Sequence, residues 1–357
     1  MINVTQTLLP PLEEYTAYLQ QIWDSKWLTN RGKLVQELEA KLKDYLEIEN
    51  LLIVTNGTIA LQLVIKALDL KDEIITTPFS YVATVSSIVW ENCQPVFVDI
   101  DKDYLTIDET KIEEAITENT SAILATHVYG NPCNVEAIES IAQKYKLKVI
   151  YDAAHCFGVR YKGESILNWG DVSTLSFHAT KLFHTGEGGG IVCKDKEIAD
   201  KIFYHHNFGH HGEEEFYGLG VNAKISELNA AMGLSLFPYI NETIAKRKQV
   251  CDFYADALKD TNLRIPKMRE ETEWNYSYYP VIFPTEETLL KTKKVLNDHS
   301  VFPRRYFYPS LNKLPYLKYA EMPVAEDISK TVLCLPLFAS LSHCDLERIC
   351  HLIKGTS

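Results

Sequence analysis

From Leu51 to Lys194 the chain repeats one unit, a short apolar run followed by a turn and a stretch of helical periodicity. Residues 51–55, 73–78, 95–100, 121–128, 148–152, 172–178 and 190–194 predict strands. Residues 59–68, 80–91, 108–116 and 135–145 predict helices. Repeated β–α units imply a mainly parallel sheet covered on both faces by helices. Ligands of such sheets bind beyond the carboxyl ends of the strands. Asn56, Pro78, His127, Asp152 and His178 fall at or near those ends.

The flanking segments differ. Residues 10–46 predict two helical pieces around Trp27-Leu28-Thr29-Asn30-Arg31-Gly32, the second with apolar residues at helical spacing. Residues 205–215 are a polar, histidine-rich loop, and 225–248 predict a long helix broken at Phe237-Pro238. Beyond Asp260 the order becomes strand 277–283, helix 286–299, strand 332–336 and helix 342–354. This predicts two domains: a large one over 1–245 with an N-terminal arm, and a smaller α+β one over 246–357.

A net charge of −12 argues against nucleic acid as the main partner, but leaves room for an anionic substrate met by local basic groups. No stretch has the length of apolar sequence that spans a bilayer. The first residues lack the basic start of a signal peptide. The eight cysteines are scattered without a Cys-x-x-Cys pair. They are expected to be buried, reduced thiols of a cytoplasmic protein, with no disulfide framework and no metal site.

Several residues invite chemistry, each with a plainer alternative. Asn56-Gly57-Thr58 joins a strand to a helix. It is either an anion seat at a helix N-terminus or an ordinary entry turn capped by Thr58. Tyr81, just past a strand end, either stacks on a flat ligand or packs in the core. Asp152 ends an apolar strand, where a carboxylate needs a partner, and His155 lies three residues on. Lys181 follows Ser176-Phe177-His178 and precedes Gly186-Glu187-Gly188-Gly189-Gly190. It is either a solvated loop lysine or a desolvated amine able to form a Schiff base.

Taken together, the segments resemble the vitamin B6-dependent sugar aminotransferases of the DegT/StrS family. The matching motifs are Asn-Gly-Thr-x-Ala-Leu at 56–61, Ser-Tyr-Val-Ala-Thr at 80–84, Val-Tyr-Gly-Asn-Pro at 128–132, Asp-Ala-Ala-His at 152–155, Ser-Phe-His-Ala-Thr-Lys at 176–181, Thr-Gly-Glu-Gly-Gly at 185–189 and Ser-Glu-Leu-Asn-Ala-Ala at 226–231. They occur in the family's order and span most of the chain. The resemblance implies the aspartate aminotransferase (type I) fold, with pyridoxal 5'-phosphate as cofactor and Lys181 as the lysine that carries it. Asp152 matches the partner of the pyridine nitrogen. Gly57, Thr58 and Ser176 match phosphate-holding positions, Tyr81 the stacking aromatic, and His155 the residue near the ring oxygen. Asn222 matches an asparagine that reaches the cofactor of a neighbouring subunit, which implies a homodimer with shared active sites.

The implied reaction is ping-pong transfer of an amino group from L-glutamate, which leaves as 2-oxoglutarate, to a nucleotide-linked keto sugar. The opening Leu9-Pro10-Pro11-Leu12-Glu13-Glu14-Tyr15, with Trp27-Leu28-Thr29-Asn30, resembles the branch that aminates dTDP-4-dehydro-6-deoxy-D-glucose for surface polysaccharide (O-antigen) synthesis. A 3-keto acceptor is the rival. A same-fold dehydratase would carry histidine in place of Lys181, and a non-catalytic regulator would lose Lys181 or Asp152. A nicotinamide dehydrogenase would need Gly-x-Gly-x-x-Gly after the first strand, which Asn56-Gly57-Thr58 does not supply.

Two local departures concern the substrate side. Leu182-Phe183-His184 and Ala223-Lys224-Ile225 stand where the family carries other residues, making His184 and Lys224 candidate substrate or donor contacts. Arg304 and Arg305, in Pro303-Arg304-Arg305-Tyr306, either serve a nucleotide diphosphate or form a basic surface turn.

Overall fold

The computed structural model describes residues 1–356. Seven strands form its main sheet: β1 (Asn50–Val54), β2 (Glu73–Thr76), β3 (Gln94–Phe97), β4 (Thr120–Thr126), β5 (Lys148–Asp152), β6 (Val172–Ser176) and β7 (Gly189–Cys193). Their spatial order is β1-β7-β6-β5-β4-β2-β3. β2 to β6 pair in parallel, with β3, as the repeated units predicted. β7 is inserted antiparallel between β1 and β6, making the sheet mixed.

Alternate residues of each central strand feed opposite cores. Leu51, Ile53, Ile123, Val149 and Leu175 pack with α1 (Leu12–Ser25), α2 (Lys33–Leu46), α5 (Val135–Tyr145) and α7 (Glu227–Leu236). Leu52, Val54, Leu124, Ile150 and Ile191 pack with α3 (Gly57–Ala67), α4 (Val82–Trp90) and α6 (Lys196–His205). Burial on both faces is why these strands are near-continuous apolar runs. Each fully buried Leu or Ile contributes about 1.5–3 kcal/mol.

A separate core gathers Val250, Tyr254 and Leu258 of α8 (Ile240–Leu258) with Val281, Leu296, Leu333 and Ile349. Here β8 (Tyr279–Ile282) pairs antiparallel with β9 (Val332–Leu335), flanked by α9 (Glu286–Asp298), α10 (Pro323–Thr331) and α11 (His343–Lys354). The N-terminus joins this unit: Ile2 pairs with Val301, and Leu337 N–H donates to the Val4 carbonyl. Residue 245 lies inside α8.

Some expectations are corrected. Residues 108–116 form two 3₁₀ turns, Glu109–Lys111 and Glu113–Ala115, instead of a helix. Asp108 accepts from the Thr110 amide at 3.2 Å and its hydroxyl at 2.6 Å, closing a tight local turn that competes with helix formation. The long helix extends to Leu258. Seven cysteines are buried, but Cys344 is exposed on the outer face of α11.

Candidate active site

At the carboxyl ends of β1, β5 and β6 lies a cavity of about 580 Å³. Gly57, Thr58, Tyr81, Asp152, His155, Ser176 and Lys181 all line it. Residues over 120 positions apart in sequence meet because adjacent parallel strands end on one edge.

Asn56 caps α3, its Oδ1 accepting from the Ile59 amide at 2.9 Å. Asn56, not Thr58, is therefore the cap, and Thr58 is exposed toward the cavity. The first-turn amides of Gly57 and Thr58 have no helical carbonyl to bind, which makes this end an anion seat. A Cβ on Gly57 would stand 3.3 Å from Ser176 Cβ, so glycine lets α3 approach the end of β6.

Asp152 is buried and ends β5. Its Oδ2 accepts from Thr84 Oγ1 at 2.7 Å and its Oδ1 from the Ala154 amide at 3.2 Å. Thr84 shares a 2.7 Å hydrogen bond with Ser80, and Thr126 donates to Ser80 at 3.0 Å. Thr84 spends its hydrogen on Asp152, so the relay runs Thr126 to Ser80 to Thr84 to the carboxylate. Burial still pushes the Asp152 carboxyl above its ordinary value, against the Thr84 and Ala154 hydrogen bonds and the charge of Lys181.

The chain leaves β6 at Ser176 and turns, the His178 carbonyl accepting from the Lys181 amide at 2.8 Å. This returns the Lys181 side chain to the cavity, half-buried instead of solvated. Burial lowers its amine's pKa, while Asp152, Tyr306 and Tyr81 pull it back up. Lys181 Nζ donates to Tyr278 Oη at 3.4 Å. Buried Arg247 holds the backbone before Tyr278 through the carbonyls of Tyr276, at 2.8 Å, and Ser277, at 2.6 Å.

His155 is buried, and desolvation followed by the Lys181 charge holds its pKa well below the usual range. Its Nδ1 accepts from the Tyr129 amide at 3.1 Å, so the neutral ring carries its proton on Nε2. Tyr81 is 54% exposed at the cavity, not in the core. His127 is fully buried beneath the site, stacked on Tyr151, and does not line the cavity.

The substrate-side candidates separate. Buried His184 accepts from the Gly186 amide at 3.2 Å and reaches the Leu8 carbonyl at 2.7 Å with Nε2; it ties down the N-terminal arm and faces no cavity ligand. Lys224 donates to Asn207 Oδ1 at 2.7 Å, beside β1, and lies outside the cavity lining. Arg305 pairs with Glu286 at 2.7 Å and is equally structural. Arg304 does line the cavity. Asn222 is exposed, bridged to Asn207, and does not line this cavity. Ser80, Thr84, Thr126 and Tyr278 escaped the sequence reading as site residues. Ser80 and Thr84 sat in a recognised motif, whereas Tyr278 carried no local signal.

The features fit pyridoxal phosphate: an anion-seeking helix end for the phosphate, a buried carboxylate for the ring N–H, and an amine of lowered pKa for the aldehyde. The sequence profile of the DegT/DnrJ/EryC1/StrS aminotransferase family matches residues 12–354. The chain is 46% identical to a dTDP-4-amino-4,6-dideoxy-D-glucose transaminase of Shigella dysenteriae, over 99% of this chain and 98% of that protein. It is 40% identical to a protein of the same name from Escherichia coli, with the same coverage of both chains. The crystal structure of DesI with its TDP-sugar product is 30% identical, superposes with a TM-score of 0.93, and is matched over 99% of this chain and 91% of that one. Full-length similarity of this kind shows that the chain belongs to the DegT/DnrJ/EryC1/StrS family of pyridoxal phosphate-dependent sugar aminotransferases, with the aspartate aminotransferase fold.

Proposed function

We propose that the protein transfers the amino group of L-glutamate to dTDP-4-dehydro-6-deoxy-D-glucose, giving dTDP-4-amino-4,6-dideoxy-D-glucose and 2-oxoglutarate. The observation that carries the chemistry is the meeting of Lys181 and Asp152 in one cavity beside the α3 N-terminus. The identity of the acceptor is supported by the two transaminases at 46% and 40% identity.

In this reading Gly57, Thr58 and Ser176 would hold the cofactor phosphate, Tyr81 would cover its ring, and neutral His155 would offer its Nε2 proton to the ring oxygen. When bound, pyridoxal phosphate supplies an electron sink for the carbanion formed at the donor's α-carbon. Asp152 would hold the proton of the ring nitrogen, and the Thr84 hydrogen bond favours its ionised form against the upward push of burial. Lys181 would anchor the cofactor, and its amine would be the base that takes a proton from the donor's α-carbon and the acid that later delivers one to the sugar carbon. The lowered pKa of Lys181 favours the unprotonated amine this step needs. Tyr278 offers that amine a hydrogen-bonding partner. The presence of Lys181 and Asp152 favours transamination over dehydration or a regulatory role.

The active site is completed by a second copy of the chain. Asn222 stands outside its own cavity on a segment that exposes Phe208, Phe216, Tyr217, Leu219 and Val221. That combination supports a homodimer in which Asn222 reaches the partner's cofactor. The division into 1–245 and 246–357 is part of the same proposal, as are a cytoplasmic location and a role in surface polysaccharide synthesis. No described helix is long and apolar enough to cross a membrane.

The test is incubation with glutamate and a panel of 3-keto and 4-keto nucleotide sugars, with the product identified by NMR. An equatorial amine at carbon 4 of the dTDP-linked sugar is expected. An amine at carbon 3, or no transfer, overturns the reading.

A further inference from the structure

A transaminase working in two halves must admit two unlike substrates to one cavity. On the proposed reading these are a dicarboxylate amino acid and a nucleotide diphosphate sugar. Both are anionic, while the chain carries a net charge of −12. Recognition therefore needs a local cation.

The cavity lining contains one lysine and one arginine, Lys181 and Arg304. Lys181 is committed to the chemistry. His155, the buried histidine of the lining, is held neutral by desolvation. The end of α3 is assigned to the cofactor phosphate. Arg304 is exposed, and among the described residues its guanidinium has no carboxylate partner. It is nonetheless held in place. Its backbone is locked to Cys334 by two hydrogen bonds, 3.2 Å from its amide and 2.8 Å to its carbonyl. Its guanidinium lies 4.8 Å from the centre of the Tyr306 ring. The neighbouring arginine is excluded: Arg305 is spent on Glu286 and on the carbonyls of Ser329 and Lys330.

The two substrates present their charge at comparable reach. Three extended bonds place the side-chain carboxyl carbon of glutamate roughly 4 Å from its reacting carbon. Carbon 4 of a hexose lies roughly 4–5 Å from the phosphorus on its anomeric oxygen. A planar fork of N–H groups donates to carboxylate and phosphate oxygens alike.

We propose that Arg304 is a shared oxyanion seat, binding the distal carboxylate of the amino donor in one half-reaction and the diphosphate of the sugar nucleotide in the other. Its being shared rests on the proposed function; its being an anion seat does not.

The experiment is calorimetric titration of the cofactor-loaded protein with two unreactive probes, glutarate and dTDP. Arg304→Gln is expected to weaken both by roughly ten- to hundredfold, the loss typical of a hydrogen bond to a charged group. Arg304→Lys should recover part of the binding. In turnover, KM for glutamate and for the sugar should rise together, with kcat within about threefold of wild type. If only one probe weakens, the shared role is overturned and the seat belongs to that substrate. If neither weakens, or neither binds wild-type protein, Arg304 is not an anion seat. Failure of the wild-type protein to aminate any sugar in the panel would sink the functional reading separately, because the binding arm needs no turnover.

Discussion

Replacing Thr84 with valine removes one hydroxyl and almost no volume, breaking its hydrogen bonds to Asp152 and to Ser80. The first is 2.7 Å long, buried, and made to a carboxylate. A hydrogen bond to a charged group is worth about 1.5–3 kcal/mol, against about 0.5–1.5 kcal/mol to a neutral one. The cost of Thr84→Val therefore depends on whether Asp152 is ionised. Burial raises the Asp152 carboxyl above its ordinary value, so between the unfolded and folded pKa values the native state binds more protons than the unfolded chain. Native stability contributed by this group accordingly falls as pH rises through that window. Removing the Thr84 donor raises the native pKa further and widens the window. In cofactor-free protein, the stability gap between wild type and variant should grow by about 1–2 kcal/mol from acid to mildly alkaline pH. The assay is denaturant unfolding at pH 4.5, 6 and 8. Ser80→Ala is the control: it removes a donor to Thr84 but touches no charge, and its cost should be flat with pH. A Thr84→Val gap that is constant, or that shrinks toward alkaline pH, would refute the assignment of Thr84 as the donor that sustains the Asp152 charge.

Three further substitutions probe other parts of the site. Gly57→Ala places a Cβ 3.3 Å from Ser176 Cβ, while alanine improves helix propensity by up to about 1 kcal/mol. These offset in stability, so the melting temperature should hardly move while pyridoxal phosphate affinity, read by absorbance titration, falls about tenfold; a large melting loss with intact affinity would contradict the phosphate assignment. Lys181→Ala should abolish the borohydride-trapped cofactor adduct, and trapping at an unchanged level would show that another lysine carries the cofactor. His184→Ala removes the 2.7 Å contact to the Leu8 carbonyl, costing about 1 kcal/mol, and should speed amide hydrogen exchange over residues 2–9. Unchanged exchange there would mean that the arm is held by its other ties, at Ile2, Val4 and Gln6.

The comparison of Arg304 with Arg305 shows where sequence reading stops. Adjacent arginines in one polar run are equivalent on paper. Folding aims one at the cavity and the other at Glu286, because neighbouring residues of an extended segment point to opposite sides. His184 illustrates the same limit. Its departure from the family pattern suggested substrate contact, yet its partner is the backbone of Leu8, 176 residues away. Thr84 was in plain view within a motif, but its task depends on β5 ending opposite the first turn of α4.

What the sequence determined by itself was local and periodic. Apolar runs of strand length, turns at Asn56-Gly57, and helical spacing between them dictated a layered α/β fold, since hydrophobic period is written residue by residue. The ordered motifs also singled out Lys181 and Asp152 as candidates. Only the tertiary structure decided that β7 enters antiparallel between β1 and β6, and that segments separated by over a hundred residues close one cavity. It alone raised the Asp152 carboxyl, lowered the Lys181 amine, and left Asn222 outside the lining of its own cavity. The reason is physical: burial and charge neighbours are properties of packing between distant segments, and those are set when the chain closes on itself.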